Sequence, residues 1–331
     1  MASTKDQKIK SIIHDCNKHS LRLSQEPWPK PSSTQYIVRV HAVGITKGEL
    51  QWPEPHELPA NTAVPGFDIA GVIIQAPSPK SRYQAGERVY TMTAADRPAN
   101  AREVTLIEER EIAKIPKNLG FIEAAAVPMS AFTAAEALFE RGDLVYEEAS
   151  PANRNRSVLI IGASGAVGIW ATQLAKWAGV GRIIGVCGSK NVDFVKSLGA
   201  HAVIDHSRDS LEDFITSGGE DGKFDIVLDG VGGKMLIEAW KATKIGGFLF
   251  CIVGPIEGTR PESGVSEDVH ASFFILQTLG SRLDKISALI ENGHVKPFVD
   301  SVFAFEDFQE AFDRVETGRA RGKVVLEVIR S

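Results

Sequence analysis

Val158-Leu-Ile-Ile-Gly162-Ala-Ser-Gly165-Ala-Val-Gly168 runs from an apolar stretch into three glycines spaced G-x-x-G-x-x-G. Glycines let a backbone turn tightly and approach a pyrophosphate. The free N–H groups and the dipole at the start of the next helix attract its charge. The spacing alone is weakly specific, and its place between a strand and a helix gives it meaning. Ser157–Ile161 reads as that strand. Ala166–Trp177 reads as the helix, with Ile169, Thr172, Leu174 and Ala175 facing inward.

Strands and helices alternate onward. Arg182–Cys187, Ala202–Asp205, Phe224–Asp229 and Gly247–Val253 read as strands; Asn191–Leu198, Leu211–Thr216 and Met235–Thr243 read as helices. Such alternation implies parallel strands with crossover helices, the doubly wound α/β architecture. A hydrolase elbow is excluded, because G-x-S-x-G needs glycine where Ala166 stands.

The second strand ends in Gly185-Val-Cys187-Gly188-Ser189-Lys190. An NAD site carries Asp or Glu about 20 residues past the glycines, to accept from the ribose hydroxyls. Here a small residue, a hydroxyl and a cation stand instead. Gly188, Ser189 and Lys190 suit a 2′-phosphate, so the expected cofactor is NADPH.

Before about residue 125 the chain is rich in Pro and in short strand-like runs, such as Tyr36–Val43, Ile69–Gln75 and Glu87–Met92. A boundary helix, Ala131–Arg141, and a polar linker, Glu147 to Arg156, follow. After about 265, His270–Leu276, Val299–Phe305 and Lys323–Ile329 read as strands, and Leu283–Glu291 and Glu306–Thr317 as helices. This tail is expected to rejoin the first domain. The expected domains are 1–127 with 268–331, and 128–267.

With 331 residues, two domains are expected at roughly 100–200 residues each. Lys plus Arg is 37 and Asp plus Glu 42, a net charge of −5 that argues against a nucleic-acid partner. No run approaches the roughly 18 apolar residues of a membrane span, and the polar N-terminus lacks a signal-peptide core. A cytoplasmic protein without membrane partners is expected. The three cysteines, Cys16, Cys187 and Cys251, form no close pair, and Cys187 and Cys251 read as buried core thiols.

Other segments resemble the medium-chain dehydrogenase/reductase superfamily: Pro65-Gly-Phe-Asp-Ile-Ala-Gly71, Val127-Pro-Met-Ser-Ala-Phe-Thr133, Phe224-Asp-Ile-Val-Leu-Asp-Gly-Val-Gly-Gly233 and Gly318-Arg-Ala-Arg-Gly-Lys-Val-Val-Leu326. The resemblance runs over nearly the whole chain. It implies a GroES-like β-rich catalytic domain, a Rossmann cofactor domain and an active site in the cleft between them. Thr46, Phe67 and Met129 stand where zinc alcohol dehydrogenases place a Cys, a His and a second Cys, and none is a usual zinc ligand. The sequence is thus similar to the zinc-independent quinone oxidoreductases and enoyl reductases, and no metal is expected.

Carried over by position, the resemblance implies that Gly162, Ser164, Gly165, Ala166, Val167 and Gly168 hold the pyrophosphate. His206 stands where a Tyr often flanks the adenine and phosphate. Gly230 and Val231 border the adenosine. Thr133, Val253 and Gly254 border the nicotinamide, and Phe273 and Phe274 present backbone to its carboxamide. Thr46 is the candidate polar contact at the reacting centre, and Trp52 the candidate substrate flank. Glu49, Lys47 and the run Arg319-Ala-Arg321-Gly-Lys323 read as solvated.

Without a Lewis acid, hydride transfer favours acceptors that already spread negative charge. A quinone reductase is the first expectation. An enone or enoyl reductase, or a cofactor-binding protein with little activity, are the alternatives. A homodimer through His270–Leu276 and a monomer both stay open.

Overall fold

The computed structural model describes residues 7–52, 62–94 and 97–329. In chain order the strands are β1 (Lys8–Asp15), β2 (Ser20–Pro27), β3 (Gln35–Ile45), β4 (Thr62–Ala63), β5 (Asp68–Gln75), β6 (Arg88–Met92), β7 (Val104–Glu108), β8 (Ala113–Lys114), β9 (Ser157–Ile161), β10 (Arg182–Cys187), β11 (Ala202–Asp205), β12 (Phe224–Asp229), β13 (Thr243–Cys251), β14 (His270–Ser272), β15 (Val299–Ala304) and β16 (Lys323–Glu327). The α-helices are α1 (Phe121–Ala125), α2 (Pro128–Ala135), α3 (Ala166–Trp177), α4 (Val192–Leu198), α5 (Leu211–Gly218), α6 (Lys234–Lys241), α7 (Gly280–Glu291) and α8 (Phe308–Glu316).

The chain divides into two compact units, Met1–Met129 with Gln277–Ser331, and Ser130–Leu276. The second boundary therefore falls at 276/277 rather than at the expected 267/268. The reason is β14, which pairs in parallel with β13 through Phe248↔His270, Leu249↔Ala271 and Phe250↔Ser272 and so belongs to the cofactor-type sheet. The expected strand His270–Leu276 stops at Ser272.

The Ser130–Leu276 unit is a six-stranded parallel sheet in the order β11-β10-β9-β12-β13-β14. Every residue of β9 is buried, as a central strand covered on both faces requires. Helix α3 is buried continuously from Gly168 to Ala175. The expected inward stripe is therefore wider than one face. Cys187 and Cys251 are buried free thiols, and burial pushes Cys187 up to about 11.

The other unit holds a seven-stranded sheet, β15-β16-β3-β5-β6-β8 with β7 on β3, and a three-stranded sheet, β2-β1-β4. Its core gathers Tyr36, Ile45, Ile69, Tyr83, Phe305 and Phe312. The β1–β2 hairpin had no counterpart in the sequence reading. β2 is mostly exposed, so its apolar alternation is weak. Register sets up the site. Gly44 of β3 lies opposite Val325 on one side and Asp68 on the other. A Cβ at Gly44 would sit 2.3 Å from the Ala125 carbonyl oxygen and 3.0 Å from Lys323 Cε, so only glycine lets the lysine stem pass. Among the described residues, no helix is long and apolar enough to cross a membrane.

Candidate functional site

In the Ser130–Leu276 unit the chain leaves β9 through Gly162, whose φ of +82° suits glycine. The Gly165 N–H closes the turn onto the Gly162 carbonyl at 2.9 Å, and Gly165 caps α3. A Cβ at Gly168 would lie 2.3 Å from the Gly162 oxygen, so the third glycine lets the helix press on the turn. The first-turn residues Ala166 and Val167 are partly exposed. Their amides have no partner within the helix, as at any helix start. The Ser164 hydroxyl accepts from Asn191 Nδ2 at 3.2 Å, which ties this loop to the turn after β10. A dinucleotide pyrophosphate fits this cradle.

The β10 turn exposes Ser189 and Lys190. Gly188 faces His206, where an added Cβ would be 3.5 Å from Nε2. Parallel register places Cys187 beside Asp205, the last residue of β11. The Ser189 hydroxyl bonds the Asp205 carboxyl and, ahead of the Ser207 and Arg208 contributions, holds it below its ordinary value. Asp205 is an acid the sequence reading missed, because it lies on the next strand. Arg208 Nε sits 3.6 Å from Asp205 Oδ2 and offsets that charge. A cavity of about 390 Å³ opens beside this loop, lined in part by Val186, His206, Arg208 and Met235.

Gly230 and Val231 are exposed after β12. The buried Asp229 carboxylate accepts from the Val231 and Gly232 amides at 2.8 and 3.0 Å and shapes that turn. Burial raises its pKa against those bonds. Val253 is exposed and Gly254 partly so, whereas Thr133 is buried on α2. Phe274 is buried, edge-on to Phe250 at 5.9 Å and under the Arg141 guanidinium, so its ring serves the core. Phe273 is at the surface.

The second constellation lies in the unit of Met1–Met129 and Gln277–Ser331. Thr46 is partly exposed just past β3. Its Oγ1 accepts from Lys323 Nζ at 2.6 Å and donates to Met129 Sδ at 3.3 Å. Lys323 Nζ also pairs with Asp68 Oδ2 at 2.8 Å, with both side chains buried. Burial raises Asp68 above the usual carboxylate range, and the Lys323 ammonium pulls it back. Glu49 Oε2 and Oε1 accept from the Thr46 and Gly66 amides, each at 3.2 Å. Burial pushes Glu49 up to about 8. Trp52 is exposed, its ring 5.4 Å from that of Phe67. The residues that follow it, 53–61, lie outside the described chain.

Two expectations are corrected here. Lys323 is not part of a solvated turn but is 2% exposed at the start of β16, and Glu49 is buried rather than solvated. A Lys beside arginines and glycines looks like surface. The signal that it is not is the apolar run Val324-Val-Leu326 directly after it.

The side chains of Thr46, Met129 and Phe67 do not fit zinc. A hydroxyl, a thioether and the phenyl ring of Phe67 replace thiolate and imidazole, and an ammonium lies 2.6 Å from the hydroxyl. Among the described residues, no group of three or more His, Cys, Asp or Glu side chains is placed to hold a metal ion.

Comparison with known proteins agrees with this layout. The alcohol dehydrogenase GroES-like domain model matches residues 32–128, and the zinc-binding dehydrogenase model matches residues 198–326. A protein of Arthroderma benhamiae named "Probable zinc-binding oxidoreductase, mitochondrial" is 39% identical over 322 residues, covering 97% of each chain. The 2-methylene-furan-3-one reductase of Solanum lycopersicum is 34% identical over 80% of this chain and 64% of its own. A quinone oxidoreductase from Coxiella burnetii shares the fold, with a TM-score of 0.84 at 24% identity over 98% of this chain and 100% of that one.

Proposed function

We propose that this chain, which belongs to the medium-chain dehydrogenase/reductase superfamily of oxidoreductases, reduces conjugated carbonyl acceptors with NADPH and without zinc. The observation that carries the reading is the partly exposed Thr46 hydroxyl, backed by a buried ammonium at 2.6 Å. A hydroxyl donor is a weaker electrophile than a metal. It suits an acceptor that delocalises the arriving charge, a quinone or an α,β-unsaturated carbonyl.

When bound, the nicotinamide supplies a hydride. The chain's own groups do the rest. The amides of Ala166 and Val167 hold the pyrophosphate, while Ser189, Lys190 and His206 receive the 2′-phosphate. Thr46 donates to the carbonyl oxygen as charge develops on it. Cys187 is not a nucleophile, because burial keeps it a thiol at neutral pH. Of the two acceptor classes, the enone is supported by the named activity of the tomato relative.

The word zinc in the Arthroderma protein's name and in the matching dehydrogenase model is at odds with the donors present here. Elemental analysis of purified protein is expected to find no stoichiometric zinc, and a chelator is expected to leave activity intact. One tightly held zinc per chain, lost together with activity, would overturn the metal-free reading. The acceptor is tested by following NADPH oxidation against ortho-quinones, para-quinones and enones, with saturated aldehydes as controls. Turnover of saturated aldehydes alone would overturn the conjugated-acceptor reading.

The expected partner is a small acceptor, with no nucleic acid or membrane; a homodimer and a monomer both stay open, and sedimentation decides between them. The expected cytoplasmic location stands against the mitochondrial label of the Arthroderma protein, and cell fractionation decides between them.

A further inference from the structure

We infer that Lys323 is a positioning residue for the reaction: its ammonium holds the Thr46 oxygen as an acceptor, so that the hydroxyl proton is offered to the acceptor's developing oxyanion. This rests on the proposed role of Thr46 at the reacting carbonyl.

The geometry argues it as follows. Lys323 is 2% exposed and cannot itself reach a bound substrate, whereas Thr46 is partly exposed. An ammonium has donors only, so at 2.6 Å the Thr46 oxygen must accept from it. The hydroxyl then has its one proton left to give. In the resting protein that proton goes to the Met129 sulfur at 3.3 Å, a weak acceptor. An oxyanion is a far stronger acceptor and takes the proton's direction with little cost. A charged donor on the hydroxyl oxygen also polarises the O–H bond, which strengthens the outward bond. Asp68 fixes the ammonium at 2.8 Å, and Gly44 leaves room for its stem. The effect is that of a buried cation acting through one hydroxyl.

The test is a double-mutant cycle on the full chain. Thr46→Val and Lys323→Leu are each expected to lower kcat by about 10- to 100-fold, with the KM for NADPH within about twofold. In the Thr46→Val background, Lys323→Leu is expected to cost less than about threefold more, because the ammonium acts through the missing hydroxyl. Thr46→Ser is expected to restore most of kcat. Removing one partner of a buried pair can unfold the chain. The neutral pair Asp68→Asn/Lys323→Leu, checked by thermal melting, reads the same loss in a folded protein. A second readout is the Met129 methyl resonance in carbon-13 methionine-labelled protein. It is expected to shift in both Thr46→Val and folded Lys323→Leu, as the O–H···S bond is lost or loosened. If Thr46→Val leaves kcat unchanged, the role of Thr46 fails and this inference with it. If Thr46→Val slows turnover but the folded Lys323 variants do not, or cost as much without Thr46 as with it, only the role of Lys323 is overturned.

Discussion

The Met129 amide donates to Asp68 Oδ1 at 2.9 Å, so the acid that holds Lys323 through one oxygen anchors the start of α2 through the other. An acid at a helix N-terminus is favourable for its dipole and for its unpaired amides. Asp68 thus links β5, β16 and α2 through a single carboxylate.

Asp68→Asn is expected to cost about 3–5 kcal/mol of stability, because it strands the Lys323 ammonium in the interior. Urea unfolding followed by tryptophan fluorescence reads the loss. A change below about 0.5 kcal/mol would mean that water reaches the lysine and that the pair is not truly buried.

Glu49 has a pH signature of definite sign. Its folded value near 8 lies above its ordinary 4.5. Between those values the folded state binds a proton that the unfolded state has released. Stability therefore falls as pH rises through this window and levels off above it. The slope is at most about 1.4 kcal/mol per pH unit. Glu49→Gln removes the slope, so it gains on wild type as pH rises. Parallel stability curves for the two proteins across the window would refute the burial of this carboxyl.

Gly168→Ala places a methyl 2.3 Å from the Gly162 oxygen and 2.6 Å from Ala163 Cα. Overpacking of this kind costs about 1–3 kcal/mol. We expect a lower melting temperature and weaker NADPH binding by nicotinamide fluorescence. Gly218→Ala, with open space around it, is the control and should leave both unchanged. Equal behaviour of the two variants would show that the loop tolerates displacement.

Lys190→Ala should raise the dissociation constant for NADPH by roughly 10- to 100-fold and leave that for NADH nearly unchanged. A charge-assisted bond to the 2′-phosphate is worth about 1.5–3 kcal/mol. Equal wild-type affinity for both cofactors would mean that Asp205 governs the ribose pocket instead.

The cofactor-type fold was legible because its signals are local. Ser157–Ile161, Ala166–Trp177, Arg182–Cys187, Ala202–Asp205 and Phe224–Asp229 keep the bounds expected from hydrophobic period and glycine placement. The boundary after β14 was not legible, since only pairing with Phe248–Phe250 shows where the strand ends. Thr46 could be singled out by position, but its partner could not. Lys323 lies 277 residues away, amid residues typical of a surface turn. Asp205 escaped for the same reason, standing on a neighbouring strand rather than in the turn it serves.

The order in which the two units can finish folding during synthesis follows from β16. Residues 130–276 are contiguous and can close their sheet while synthesis continues. The unit around Asp68 cannot, because its counter-ion belongs to a strand made only after residues 130–276. Until β16 emerges, Asp68 must stay hydrated and Thr46 unpolarised. The nascent protein can therefore close its parallel sheet first, and the Lys323–Thr46 hydrogen bond forms only when β16 is laid beside β3.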